Sequence, residues 1–459
     1  MYSNIILQAD SYKYSQFNQY PAGTEYVYSY IQSRGGDYDI GVFLGWQAYQ
    51  REYLSKPVTM ADIDEAEAII TAHGEPFYRE GWEYIVKEHE GWLPLRVKTL
   101  PEGVKFDPKS NLPLLTIVNT DPKCYWLTGF METAILRAIW YPTTVASNSY
   151  ASRRVIKDFL ERTGDLAGLD FKLHDFGARG VSSVESAGIG GLAHLATGFM
   201  GTDTVSALLA ARKYYDADMA GFSIPAMEHS TVTSWGRDKE VESYRNMLKQ
   251  YGKPNAILAA VSDSYDIYNA TYQLWGDELK QEVIDSGATV VIRPDSGTPH
   301  VVVLEVVKLL DLQFGHTINA KGYKVLNNVR VIQGDGITTR EIFRILQNLE
   351  LAGYSADNVA FGQGGALLQQ VNRDTMQFAM KCSAICVNGV WRDVYKDPVG
   401  DSTKRSMRGR FDVIRDAGDN FKAVPFGSSA AANALQTRFL NGQAFNETTL
   451  SEIRTLVNA

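Results

Sequence analysis

The sequence predicts an α/β protein: a barrel of parallel strands joined to a mainly antiparallel β domain to which both ends of the chain contribute. Three observations carry this. From about Lys172 an apolar run, a polar cluster and an amphipathic stretch repeat in turn, as βα units of a parallel sheet do. Nearly every apolar run there ends in Asp, His, Arg or Gly, which is the habit of barrel strands whose C-terminal face carries the active site. Before about residue 120 and after about Lys381, short alternating segments separated by turns replace this rhythm. A doubly wound open sheet is the rival fold; it would gather ligand residues at one switch point rather than after nearly every strand.

Residues 25–32 and 95–100 alternate apolar and polar positions and read as antiparallel strands. From Cys124 to about Arg162 the pattern is helical, with an interruption expected at Tyr141-Pro142 because proline removes a helical N–H. Strand-like runs follow at 173–176, 222–225, 258–263, 290–295, 329–335 and 359–364, with amphipathic stretches such as 204–215 and 299–312 between them. After Lys381 come strand-like pieces and a basic turn (Lys404, Arg405, Arg408, Arg410), read as rejoining the N-terminal sheet. The expected divisions are therefore 1–165, 166–381 and 382–459.

The 459 residues suit two or three domains, and 45% apolar with 21% charged residues suits a full core. A net charge of −8 argues against a nucleic-acid-coating surface. No apolar run is long enough to span a membrane, and no basic segment followed by an apolar one marks a signal peptide. Three cysteines, Cys124, Cys382 and Cys386, fit a reducing cytoplasm better than a disulfide framework. Cys382 and Cys386 read as buried thiols of a core strand; a zinc site needs closer pairs and further ligands.

The phosphate loop G-x-x-x-x-G-K-[ST], the G-x-S-x-G elbow and the H-E-x-x-H zinc motif do not occur. Gly334-Asp335-Gly336 precedes the capping-box pattern Thr338 to Glu341, and Gly362-Gln-Gly-Gly365 ends the next strand. Glycine-rich turns at helix starts bind phosphate through exposed N–H groups, or simply serve tight turns. Arg293 and Asp295 close a strand and suit a charged or flat ligand, while Thr298-Pro299 starts a helix. The segment His174-Asp-Phe-Gly-Ala-Arg-Gly180 puts a titratable pair, an aromatic and an arginine within seven residues. Asp203 reads as a helix-capping carboxylate or a ligand group. His229 reads as a base, a phospho-acceptor or a satisfied core group.

Together these stretches resemble the nicotinamide phosphoribosyltransferase family of type II phosphoribosyltransferases, almost end to end. The resemblance rests on Asp10-Ser-Tyr-Lys13, Asn119-Thr-Asp-Pro-Lys-Cys-Tyr-Trp-Leu127, the 174–183 segment, Gly201-Thr-Asp-Thr-Val205, Pro225-Ala-Met-Glu-His-Ser-Thr231, the 262–270 segment, Ile292-Arg-Pro-Asp-Ser-Gly297 and Val331-Ile-Gln-Gly-Asp-Gly336. It implies an irregular TIM-like α/β barrel packed with the β domain, in a homodimer with shared active sites. It implies transfer of the phosphoribosyl group of phosphoribosyl pyrophosphate (PRPP) to nicotinamide, giving nicotinamide mononucleotide and pyrophosphate in NAD salvage. Magnesium would travel with the pyrophosphate and not on a protein cage, and ATP would act as co-substrate.

By the same resemblance, Phe176 and a second subunit's Tyr12 hold the nicotinamide ring, and Asp203 accepts its amide N–H. Asp10 and His174 belong to the substrate-binding set. Arg293 lines ring and ribose; Asp263 and Asp295 line the ribose–pyrophosphate region. Arg179, Gly334, Asp335, Gly364 and Gly365 surround ribose and phosphates. Arg34, Arg373, Lys381, Lys396 and Lys404 surround the pyrophosphate and nucleotide phosphates, and His229 is the residue that ATP phosphorylates. Two departures stand out: Ala178 replaces a common aromatic, and segment 34–41 is shorter than the charged loop of animal members. The alternatives are nicotinate phosphoribosyltransferase, a catalytically silent binding protein of the same fold, and an ATP-driven phosphohistidine relay.

Overall fold

The helical pattern near residues 124–162 matures into one helix, Glu132–Thr163, in the computed structural model, which describes residues 4–397 and 406–459. The expected interruption at Tyr141-Pro142 does not occur: Pro142 lies inside the helix. Proline at 142 removes the N–H that would bond the Ala138 carbonyl, four residues back. Gly45 packs there instead, so closely that a Cβ on it would lie 2.3 Å from that carbonyl and 2.4 Å from the proline ring. Thr143 Oγ1 also both donates to the Leu44 carbonyl and accepts from its N–H.

This helix serves two cores. Ile135 and Ile139 lie in one, and Ile156, Phe159 and Leu160 in another. The chain accordingly divides into one unit of Met1–Ser147, Lys213–Ala217 and Asn372–Ala459 and another of Asn148–Arg212 and Asp218–Val371. These limits differ from the expected 165 and 381, because packing changes within the helix whereas the pattern of apolar residues changes only after it.

In the first unit, Thr24–Gln32 pairs antiparallel with Ala379–Val387 on one side and Leu115–Asn119 on the other. Val390–Asp393 and Leu95–Thr99 extend the sheet, followed by Gln436–Leu440 and Gln443–Ala444. Both ends of the chain thus meet in one antiparallel sheet. The short piece 213–217 belongs here because the buried Tyr215 hydroxyl donates to Glu102 at 3.0 Å. The three thiols are free; Cys124 and Cys386 are buried, whereas Cys382, expected to be buried, is half-buried on strand Ala379–Val387.

The second unit holds a parallel sheet in the order Gly201–Thr202, Leu173–Asp175, Val359–Gln363, Val329–Gln333, Thr289–Arg293, Ile257–Val261. Of the six expected runs, 222–225 forms no regular strand. Phe222 makes one bridge to Gly201 and Ala226 one to Ala259, so this segment reaches both edge strands. Pro225 lacks the N–H a continuous ladder needs. The period of two sorts the strand residues. Leu258, Val290, Ile292, Val331 and Phe361 pack with helices Pro299–Phe314 and Thr339–Leu351. Ala259, Val291 and Ile332 pack with Phe176, Ile224 and Ala360 on the opposite face. No helix among the described residues is long and apolar enough to cross a membrane.

Candidate active site

The C-terminal ends of the parallel strands gather most of the expected residues of the second unit. His174 lies half-buried in the middle of the strand Leu173–Asp175, its Nε2 3.1 Å from the Phe171 carbonyl. Burial lowers its pKa, against the opposing pull of Asp203. The ring fits only because residue 201 is glycine: a Cβ there would lie 2.6 Å from the imidazole. The next residue, Asp175, is fully buried, and desolvation lifts its carboxyl to about 6. Its Oδ1 accepts the Gly177 N–H at 2.7 Å, which shapes the turn that presents Phe176.

The Phe176 ring rests on glycine. A Cβ on Gly362 would come within 2.0 Å of it, and one on Gly334 within 3.1 Å. The Phe176 N–H donates to the Gln363 carbonyl at 3.0 Å, completing the seat. Gly362 and Gly334 were expected at a phosphate turn; here they make room for the ring. The N–H groups of Gly334 and Asp335 are moreover both satisfied by Gln333 Oε1, at 2.9 and 3.3 Å. Backbone capture of phosphate at this turn is therefore not what the structure displays. Nor does the capping box close: Thr338 Oγ1 accepts the Glu341 N–H, but the Glu341 carboxylate turns to His300. Gly364 and Gly365 open the turn Gly365–Leu368 beside Gly180, which places Arg179, exposed, at the same turn.

Asp203 is exposed, and its carboxylate does not cap the helix Val205–Tyr215. Ser223 Oγ donates to its Oδ1 at 2.6 Å, and its own N–H donates to the Asp175 carbonyl at 2.9 Å. Sequence reading missed Ser223; its one signal is its place in the run 222–225. His229 starts the short helix His229–Thr233, and its Nε2 lies 2.9 Å from Asp263 Oδ1. Arg293 lies 3.5 Å from Asp295, and its buried Nε has no hydrogen-bond partner. An unpaired buried donor costs about 1–3 kcal/mol, so this guanidinium is poised for an acceptor.

The remaining residues lie in the first unit. Asp10 and Tyr12 sit at the turn Ser11–Asn18; Asp10 Oδ2 accepts from Thr133 Oγ1 at 2.8 Å, and the Tyr12 ring is 53% exposed. Lys13 Nζ lies 5.2 Å from the centre of that ring. Lys381 faces Tyr30 across the sheet, and its pKa is lowered by burial first, with Arg34, Lys396 and Arg373 adding repulsion against the pull of Glu132. Four of the five expected basic residues thus converge, and the Arg34 Nε is buried without a partner. Such a group of like charges suits a polyanion. Lys404, the fifth, lies outside the described residues.

Comparison with known proteins shows the family to which the chain is similar. Residues 171–443 match the Nicotinate phosphoribosyltransferase (NAPRTase) family, and residues 4–97 match the Nicotinamide phosphoribosyltransferase N-terminal domain. A nicotinamide phosphoribosyltransferase of Xanthomonas campestris pv. campestris is 53% identical, over 99% of this chain and 98% of that protein. One of Acinetobacter baylyi is 34% identical, over 98% and 96%. Among solved structures, a nicotinate-nucleotide pyrophosphorylase from Pyrococcus furiosus superposes with a TM-score of 0.62 at 16% identity, covering 99% of this chain and 94% of that one. Human nicotinic acid phosphoribosyltransferase gives 0.57 at 16%, covering 98% and 93%. These two show the fold alone.

Proposed function

The chain belongs to the nicotinate phosphoribosyltransferase family, and from that premise we propose that it transfers the phosphoribosyl group of PRPP to nicotinamide, releasing pyrophosphate, in NAD salvage. The observation that carries the choice of base is the Asp203 carboxylate, held by Ser223 beside the turn that presents Phe176. An acceptor there suits the amide N–H₂ of nicotinamide. A nicotinate carboxylate would lose that donor and meet a like charge. Two unit charges about 4 Å apart at an effective dielectric near 20 repel by about 4 kcal/mol, nearly a thousandfold in affinity.

In this reading Phe176, seated on Gly362 and Gly334, stacks on the pyridine ring and aligns its nitrogen with C1 of the ribose. The second ring is Tyr12, carried by a second copy of the chain in a homodimer with shared sites. The C1–O bond to pyrophosphate breaks as the pyridine nitrogen adds, through an oxocarbenium-like state. Positioning and charge neutralisation supply the rate. Arg293 offers its unsatisfied Nε to ribose or phosphate oxygen, and the Arg34, Arg373, Lys381 and Lys396 group holds phosphate.

Magnesium fits as a companion of the substrate. Among the strand-end carboxylates Asp295 and Asp335 are neighbours, Asp295 Oδ1 lying 3.7 Å from the Cβ position of Gly334, and one or both would offer hard oxygen to an ion that also takes phosphate oxygens and water. Held there, it would supply charge neutralisation to the leaving group. Asp263 does different work: by accepting from His229 Nε2–H it leaves Nδ1 as the nucleophilic nitrogen, ready to take the γ-phosphoryl group of ATP. The irregular barrel belongs to the same proposal; bridges from Phe222 and Ala226 to the two edge strands support it.

The test offers nicotinamide or nicotinate with PRPP and magnesium, with and without ATP. Nicotinamide mononucleotide from nicotinamide, increased by ATP, supports the whole reading; product from nicotinate alone overturns the role of Asp203. Asp203→Ala should raise KM for nicotinamide far more than for PRPP, and equal effects would remove that role. At nicotinamide concentrations too low for Tyr12→Ala or Asp203→Ala to turn over alone, mixing the two variants should restore activity if sites are shared between copies.

A further inference from the structure

One face of the first unit's sheet holds a cavity of about 370 Å³, within the range that small-molecule sites occupy. None of the residues discussed as substrate-binding or catalytic lines it. Its floor follows from strand register: Val118 stands opposite both Tyr28 and Arg96, and Thr116 stands opposite Lys98. Directly opposed residues of neighbouring strands point to the same side, so Arg96 and Lys98 share the face of the tyrosines. Tyr26 and Trp391 flank Cys386 on the adjoining strands, and their rings lie 6.1 Å apart and 19° from parallel. Arg410 is held between two aromatic faces, 4.3 Å from the centre of Trp391 and 4.7 Å from that of Phe426.

The charges here are unbalanced. Among the described residues, Arg96, Lys98 and Arg410 form no ion pair. The acid beside Arg410 in sequence, Asp412, already accepts the Gly427 N–H and the Asn433 amide with its two oxygens. A guanidinium clamped by stacking has lost its rotamer freedom beforehand and keeps its N–H edges for an anion. Three cations outside any ion pair among the described residues, with Asp412 and Glu25 among the acids near Arg410, suit a multiply charged anion. The half-buried rings of Tyr26 and Trp391, with the exposed Phe426 beside them, suit a flat ring. A ligand carrying both parts satisfies the whole cavity; a simple anion or a neutral ring satisfies half.

We propose that this cavity binds a nucleoside phosphate, its base against the Tyr26–Trp391 wall and its phosphates on Arg410, Arg96 and Lys98. The test is photolabelling of the full-length protein with 8-azido-ADP, with labelled peptides read by mass spectrometry. The expected label falls on peptides holding Tyr26, Trp391 or Phe426. It should be displaced by ADP, and much less by equal concentrations of pyrophosphate or nicotinamide. It should persist in Asp203→Ala and His229→Ala, and fall at least tenfold in Arg96→Glu and in Trp391→Ala. Arg96 is exposed, so the first variant should fold; circular dichroism checks both. Label confined to other peptides, or undiminished in Arg96→Glu, overturns the proposal. Equal displacement by pyrophosphate would mark a plain anion site and overturn it too. So would protection of these peptides from hydrogen exchange that rises with protein concentration in the absence of nucleotide, since a second copy would then occupy the face.

Discussion

Replacing Gly362 by alanine should damage nicotinamide binding while sparing the fold. The new Cβ would lie 2.0, 2.1 and 2.8 Å from three carbons of the Phe176 ring. Carbon pairs are comfortable at about 3.5–4.0 Å, so the ring must retreat by about 1.5 Å. Overpacking of this size costs about 1–3 kcal/mol. Phe176 is only half-buried, so it can leave its seat, and the cost then falls on the ligand that stacks there. At 1.4 kcal/mol per tenfold, KM for nicotinamide should rise by about 5- to 150-fold, with KM for PRPP and the melting temperature little changed. Gly168→Ala is the control: its Cβ would meet only Lys172 Cε, at an ordinary 3.6 Å, and its KM values should stay within twofold. A Phe176→Ala background supplies the decisive comparison, because Gly362→Ala should then have almost no further effect. Unchanged nicotinamide binding in Gly362→Ala, or an equal loss in both backgrounds, would refute the reasoning.

Three further outcomes are expected. Ser223→Ala removes the hydrogen bond that orients Asp203 and should raise KM for nicotinamide several-fold, since bonds to charged groups are worth about 1.5–3 kcal/mol at most; an effect on PRPP alone would contradict this. His229→Ala should keep basal synthesis and lose stimulation by ATP, and Asp263→Asn should weaken the stimulation without abolishing synthesis; ATP stimulation surviving in His229→Ala rejects the phosphohistidine. Asp175 titrates near 6 when folded against an ordinary 3.8, so the folded protein holds that proton more tightly. Its contribution therefore favours folding as pH falls from about 6 towards 4 and opposes it above, by up to about 3 kcal/mol. Urea unfolding across pH 4–7 should show this slope in the parent and a flatter one in Asp175→Asn; identical slopes would remove the group from account.

Much of the fold was legible because its signals are local. Alternation marked Thr24–Gln32 and Leu95–Thr99, and apolar runs marked five of the six parallel strands to within a residue or two at their starts. The two-residue strand Gly201–Thr202 was too short to show a period, and the segment 222–225 showed one without forming a ladder. Pro142 was misread because tertiary packing decides whether a proline breaks a helix, and here Gly45 and Leu44, far away in sequence, pack on the helix at Pro142 and bond Thr143.

For the site, the chain's own residue order determined which groups stand at strand ends: His174, Asp203, His229, Asp263, Arg293 and Asp295 all follow apolar runs or short turns. It also determined that basic residues recur near both ends. The tertiary structure alone decided their partners. It gave Gly362 and Gly334 to the Phe176 ring, and Gln333 to the N–H groups expected to hold phosphate. It set Ser223 on Asp203, and gathered Arg34, Arg373, Lys381 and Lys396 into one field. Period and composition act over a few neighbouring residues, whereas a seat for a ring or a focus of charge is made by residues tens to hundreds of positions apart, whose meeting is settled only when the strands pair.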